Sequence, residues 1–219
     1  MKINFLGDSI TWGAGASVRA NSYVMLVGSM LGCEVCNYGV GGTRIATQRV
    51  PSDVAMYDEH FMLRAEKMGD ADFVFAFGGT NDYGHGDAEL GKMGDRSEYT
   101  FYGAFYNLAT YLIDKYGREK VCFILPIPRY NQNCPLGSPE RQSMERFAGT
   151  EIHLFGEYVE AEREILSSLS VNYLDFSDIF PEPKEAGASE LFVDGLHPND
   201  VGHRLIAERI VNYVLAEGK

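Results

Sequence analysis

Basic residues are in short supply. Lys and Arg total 19 against 31 Asp and Glu, for a formal net charge of −12. Nucleic acid and anionic membranes recruit clustered cations, so neither is an expected partner. The same imbalance disfavours strongly anionic substrates. Long apolar runs are also missing. The longest, near Phe73–Phe77 and Val121–Ile127, fall far short of a bilayer span. Met1 and Lys2 lead straight into an apolar strand pattern, Ile3 to Leu6, without the longer apolar stretch of a secretory leader. A cytoplasmic protein is the expectation. Cysteine is rare, with four residues: Cys33, Cys36, Cys122 and Cys134. Cys33 and Cys36 form a C-x-x-C pair, but no second pair with zinc spacing follows. A strand starting near Cys33 would send residues three apart to opposite faces. Ordinary thiols are expected, with neither metal nor cofactor. Internal repeats and low-complexity tracts are absent.

What is present suits a soluble globular chain. The 219 residues are 45% apolar and 23% charged, enough for one sizeable core and one domain over residues 1–219. Short apolar runs alternate with helical patterns. Strands are expected at Lys2–Leu6, Glu34–Asn37, Phe73–Gly78, Val121–Pro126 and Val171–Asp175. Several are almost continuously apolar, as in strands covered on both faces. Helical spacing marks Tyr23–Leu31 behind a Ser22 N-cap, Tyr57–Lys67, and the Phe101, Phe105, Leu108, Leu112, Tyr116 stripe. Leu154, Tyr158, Ala161, Ile165 and Leu169 repeat that spacing. Gly149 and Gly156 are candidate breaks in a longer pattern beginning near Glu140. A last helix follows His197-Pro198, capped by Asn199 or Asp200. This alternation implies an α/β protein with a mainly parallel five-stranded sheet and helices on both faces. Ligands in such sheets bind beyond the carboxyl ends of the strands.

The unusual residues cluster in the loops at that edge. Gly7-Asp8-Ser9-Ile10 follows the first strand and can expose a hydroxyl at a turn. Asn37-Tyr38-Gly39-Val40-Gly41-Gly42 follows the second, and its glycines let backbone N–H groups approach a ligand. It does not match the dinucleotide pattern G-x-G-x-x-G. Gly78-Gly79-Thr80-Asn81-Asp82 follows the third strand, with an asparagine able to donate to an oxyanion. Asp194-Gly195-Leu196-His197 follows the fifth, and its spacing lets a carboxylate return to one imidazole nitrogen. Each segment alone reads equally well as a turn or cap. Together they bring a hydroxyl, a base, an orienting acid and oxyanion donors to one sheet edge, the set required for acyl transfer.

With these four blocks in this order, the sequence resembles the SGNH or GDSL hydrolase family. Gly7-Asp8-Ser9-Ile10, Asn37-x-Gly39-x-x-Gly42, Gly79-x-Asn81-Asp82 and Asp194-x-x-His197 carry the resemblance from Ser9 to His197. It implies a three-layer α/β/α flavodoxin-like sandwich and an oxyanion hole of the Ser9 N–H, the Gly42 N–H and the Asn81 side chain. Gly42 is preferred to Gly41 as the final glycine of its block. The expected activity is a serine carboxylic ester hydrolase with Ser9 as nucleophile, His197 as base and Asp194 as orienting acid. Asp175 and Asp178 are rival acids better suited to strand-end and turn roles.

Other groups read less sharply. Asp8 and Asp82 are expected to brace their own turns. His60 and His153 are expected at the surface or in packing, and His203 lacks a carboxylate partner in the motif. His85, Arg129 and Tyr130 are candidate substrate-binding residues, because they follow loop-edge strands. Arg44, next to the glycine loop, is expected to be solvated, with shaping of the pocket as the alternative. The segments Tyr83–Tyr99 and Ile127–Pro139 are expected to rim the site with polar and aromatic groups. That suits short-acyl, especially acetyl, esters of carbohydrates or other small polar alcohols. An acyltransferase using the same acyl-enzyme and a non-catalytic carbohydrate-binding protein are the alternatives. The partner is a small-molecule ester, and oligomeric state is left open.

Overall fold

The computed structural model describes residues 1–134, 137–138, 151–184 and 187–217. Strands β1 (Lys2–Gly7), β2 (Glu34–Gly39), β3 (Phe73–Phe77), β4 (Val121–Ile124) and β5 (Asn172–Leu174) form one sheet. Every pairing is parallel, and the spatial order is β2-β1-β3-β4-β5. This is the flavodoxin-like order, whose switch point lies between β1 and β3. The expected mainly parallel sheet is therefore wholly parallel.

Alternation along the strands divides the core. Ile3 and Phe5 of β1, Phe75 and Phe77 of β3, and Cys122 and Ile124 of β4 face one way. They pack on α2 (Tyr23–Leu31) and α7 (Asp200–Glu217). Leu6, Val74, Ala76, Val121 and Phe123 face the other way, toward α3 (Phe61–Ala65), α5 (Phe101–Tyr116) and α6 (Phe155–Leu169). Three layers result because each sheet face is apolar and must be covered. Phe75 is 1% exposed and stacks on Phe5 at 5.5 Å between ring centroids. Truncating such a residue to Ala costs on the order of 3–5 kcal/mol.

Local chemistry sets the element ends, with several departures from expectation. β4 stops at Ile124, short of Pro126, which has no N–H for the ladder. The Tyr57–Lys67 pattern is not one helix. A 3-10 turn at Ala55–Asp58 and the short α3 replace it. The break is tertiary: Asp58 is held by Ser52 and Arg44, and the Phe61 N–H donates to the Arg44 carbonyl. Ser22 precedes α2, but its hydroxyl turns back to the Arg19 carbonyl and caps nothing. Asn199 caps α7, accepting from the Val201 and Gly202 N–H groups, while Asp200 binds Ser17 and Asn21. Gly156 sits in the first turn of α6 without breaking it. The pattern beginning near Glu140, with Gly149, lies outside the described residues, as does Pro139. Among the described residues, no helix is long and apolar enough to cross a membrane.

Candidate active site

Ser9 opens α1 (Ser9–Trp12), a four-residue helix seated on the carboxyl end of β1. Asp8 caps it, accepting the Ile10 N–H at 2.9 Å, and Gly13 ends it in the left-handed region. The helix lies close against β2, so a Cβ at Gly39 would overlap the Trp12 backbone. These constraints hold the Ser9 hydroxyl toward the imidazole of His197: Ser9 Oγ lies 2.9 Å from His197 Nε2. His197 Nδ1 lies 2.7 Å from Asp194 Oδ2. The other carboxylate oxygen accepts the Leu196 and His197 N–H groups at 2.9 and 2.7 Å. Asp194 thus fixes its own turn and the imidazole together. Nδ1 donates to the carboxylate, which leaves Nε2 as an acceptor facing the Ser9 hydroxyl. Burial pushes the Asp194 carboxyl up, but the hydrogen bonds from His197 outweigh it and bring it to about 2.

The second and third loops are tied to one another. Gly42 adopts φ +74°, and a Cβ there would overlap the Tyr57 ring, so this position requires glycine twice over. Asn81, in α4 (Thr80–His85), donates one amide hydrogen to the Thr43 carbonyl at 3.0 Å. An amide carries two hydrogens, so a second remains for a ligand in the cavity that Asn81 lines. Asp82 does not brace its own turn. Its two oxygens accept the Ile45 and Ala46 N–H groups, each at 2.9 Å, and so anchor the segment after the glycine loop. Burial pushes the Asp82 carboxyl up to about 7 and that of Asp8 to about 6.

Ser9, Gly42, Asn81 and His197 border one cavity of about 680 Å³. Its polar lining is Ser9, Asn81, His85, Arg129 and His197, and its apolar lining includes Trp12, Val40, Met56, Tyr57 and Leu196. No carboxylate lines it among the described residues. The lining is more apolar than the expected polar rim. Trp12 and Met56 stay about half exposed, at 56% and 49%.

The remaining candidates divide. His85 and Arg129 reach the cavity; Tyr130 does not. The Tyr130 side chain faces a separate small cleft with Asn131, Glu182 and Lys184, while its N–H donates to the Gly195 carbonyl and steadies the histidine loop. Of Tyr83–Tyr99, only His85 lines the cavity, because Tyr83 is buried against Phe155 and Tyr158. Arg44 is fully buried rather than solvated. It binds Asp58 and Ser52 and donates to His85 Nδ1 at 2.9 Å. A guanidinium only donates, so that contact assigns the His85 ring proton to Nε2. Asp175 and Asp178 pair with Arg163 and Arg209, far from the histidine turn in their bonding. His203 is buried between the Tyr23 N–H and the Ala14 carbonyl, His60 precedes α3, and His153 pairs with Glu157. All four cysteines are thiols.

Three residues at or beside the site lie outside the four blocks. Met56 and Tyr57 enter through the 3-10 turn. Arg64, 4% exposed, sends its guanidinium to the carbonyls of Gly7, Tyr38 and Glu59 and to the Thr43 hydroxyl. A lone arginine inside the apolar stretch Phe61–Ala65 was the available clue.

A model of the GDSL-like lipase/acylhydrolase family matches residues 5–205. No curated protein matches the sequence. Among solved structures, a protein from Lactobacillus plantarum is similar, at 26% identity and TM-score 0.74, over 98% of this chain and 96% of that one. An acetyl xylan esterase is similar at 24% identity and TM-score 0.65, over 98% of this chain and 100% of that one. A carbohydrate acetylesterase from Sinorhizobium meliloti is similar at 16% identity and TM-score 0.63, over 98% of both chains. At these last two identities the likeness speaks for the fold.

Proposed function

The chain belongs to the GDSL-like lipase/acylhydrolase family, and from that premise we propose that it is a carboxylic ester hydrolase working through an acyl-enzyme on Ser9, with residues 1–219 as one hydrolase domain. The observation that carries this reading is the hydrogen-bonded line from Ser9 Oγ through His197 to Asp194, opening on a cavity that Asn81 also lines. His197 Nε2 takes the Ser9 proton as Oγ attacks the ester carbonyl. The tetrahedral oxyanion forms among the Ser9 N–H, the Gly42 N–H and the second amide hydrogen of Asn81. Asp194 stabilises the imidazolium in place. His197 then protonates the leaving alcohol, and water, activated by the same nitrogen, releases the acid and restores Ser9.

The substrate proposed is a short-acyl ester, especially an acetyl ester, of a carbohydrate or other small polar alcohol. The acetyl xylan esterase and the carbohydrate acetylesterase with this fold are in keeping with it. The cavity lining favours a second reading of the alcohol side. Trp12, Val40, Met56 and Leu196 offer apolar contact suited to an aromatic or aliphatic alcohol. Hydrolysis of acetylated sugars, phenyl acetate and p-nitrophenyl esters of increasing chain length separates the readings. Preference for phenyl acetate over sugar acetates selects the second, and preference for octanoate over acetate removes the short-acyl assignment. Ser9→Ala abolishes turnover and fluorophosphonate labelling in either case; a Ser9→Ala protein that hydrolyses p-nitrophenyl acetate like the parent would falsify the site.

A further inference from the structure

We infer that Arg64 is a positioning residue for acyl transfer, one guanidinium setting the relative placement of all three oxyanion donors. The inference rests on the catalytic reading of Ser9 given above. Arg64 lies on α3, 57 residues from Gly7, 26 from Tyr38 and 21 from Thr43. Nη1 donates to the carbonyls of Gly7, at 2.5 Å, and Tyr38. Nη2 donates to Thr43 Oγ1 at 2.8 Å, and Nε to the Glu59 carbonyl at 3.0 Å. The Phe61 ring supports the guanidinium from 4.7 Å.

The acceptors explain the role. Gly7 is the last residue of β1 and Tyr38 the last but one of β2, and Arg64 adds a second donor to the Gly7 carbonyl, which already accepts the Val40 N–H. Two residues after Gly7 comes the Ser9 N–H. Thr43 receives Arg64 and passes its own hydroxyl proton to the Val40 carbonyl at 2.8 Å, closing the turn that contains Gly42. The Thr43 carbonyl accepts Asn81 Nδ2. One side chain is therefore bonded to the support of each donor, and it reaches from the β1–β2 ladder, which ends at Gly7 and Gly39, to the Thr43 turn beyond it. Only a planar fork with donors on three nitrogens reaches these acceptors together; a lysine ammonium is a point donor on a flexible stem. The charge persists at neutral pH. Burial lowers the Arg64 pKa to about 10, with the Asp8 carboxyl nearby as its counter-charge. Displacing catalytic donors by about 1 Å costs on the order of 10²-fold in rate without removing any of them.

The test compares Arg64→Met, Arg64→Lys, Thr43→Val and Ser9→Ala on p-nitrophenyl acetate, with active sites counted by fluorophosphonate titration. For Arg64→Met the expected result is a kcat per titrated site lower by about 10²-fold with KM within about threefold, the signature of lost transition-state placement. Arg64→Lys recovers part of kcat and leaves KM alone. A folded Arg64→Met with kcat per site within threefold of the parent overturns the inference. So does a loss fully explained by a smaller titratable fraction, which marks a merely structural role. If Arg64→Met does not fold, Thr43→Val decides. A drop in kcat of about tenfold at unchanged KM supports the inference, and parental kcat overturns it. An active Ser9→Ala would instead defeat the catalytic reading itself, so the two failures are distinguishable.

Discussion

The two halves of the candidate site are built differently. The half that would receive the oxyanion is buried and tied over long sequence distances. Asp8 is 1% exposed, Asn81 5%, Asp82 3% and Arg64 4%. Their partners are the Thr43 carbonyl, the Ile45 and Ala46 N–H groups and the ends of two strands. The half that would move protons is a short, exposed turn that largely holds itself. The Asp194 side chain is 49% exposed and His197 22%, and Asp194 bonds three groups within three residues. Among the described residues, the Tyr130 N–H to the Gly195 carbonyl and the Phe192–Pro198 bridge brace it from nearby segments. Oxyanion stabilisation depends on dipoles fixed before the reaction, which burial and over-determination supply. A base must gain and lose a proton, and the carboxylate bonded to Nδ1 holds the ring in place through that cycle. Electrostatics follow the same division. Burial raises the carboxyls of Asp8 and Asp82, while the Asp194 carboxyl, once bonded to His197, falls to about 2.

The sharpest break in this contrast is His197→Ala. It is expected to lower kcat by roughly 10⁴-fold or more while leaving the thermal midpoint within a few degrees of the parent, because the exposed turn contributes little to the core. A large fall in midpoint would mean that this half is as integral as the other. Asn81→Ala comes next, with kcat down by about 10²–10³-fold. Unlike His197→Ala, it also leaves the Thr43 carbonyl without its donor, at a cost of about 1–3 kcal/mol in urea unfolding. Equal stability of the two variants would erase the difference between the halves.

The next two predictions have opposite signs in pH. The folded Asp82 carboxyl is raised from 3.8 to about 7. Its contribution to stability is complete below about pH 4 and is lost as pH rises toward 7, since the unfolded chain ionises first. The penalty of Asp82→Asn, measured by urea unfolding, should therefore shrink between pH 4 and 7, by on the order of 2–4 kcal/mol. A penalty that grows over that window would contradict the assignment. Asp194 is depressed from 3.8 to about 2. Its contribution is present above pH 4 and is lost as pH falls toward 2. Solvent screening at this exposed pair keeps it below about 1 kcal/mol. Asp194→Asn should accordingly lose its small stability deficit in acid, while remaining poorly active at neutral pH.

Legibility in the sequence divided along the same line. The exposed half was readable because its bonds span three residues, and Asp194-x-x-His197 states the geometry outright. The buried half was readable only in part. Ser9, Gly42 and Asn81 stood in recognisable blocks, but Asp82 was expected to serve its own turn and instead anchors Ile45 and Ala46. Arg44 was expected in solvent and is enclosed with Asp58, Ser52 and His85. The Tyr57–Lys67 pattern had helical spacing, yet long-range bonds from Arg44 and Ser52 divide it. Tyr130 stood beside Arg129 in sequence, and the turn at Tyr130–Asn133 sends the two side chains to different clefts.

The sequence by itself determined the strands, their two-faced apolar alternation, the loop edge and the identity of the chemical groups, because these depend on period, turn chemistry and near neighbours. Tertiary structure decided which buried charges serve the site, how apolar its walls are and what holds Gly42 and Asn81 in register. Those outcomes depend on where a guanidinium 57 residues from its acceptor comes to rest, and burial and charge pairing over that distance belong to the packed chain as a whole.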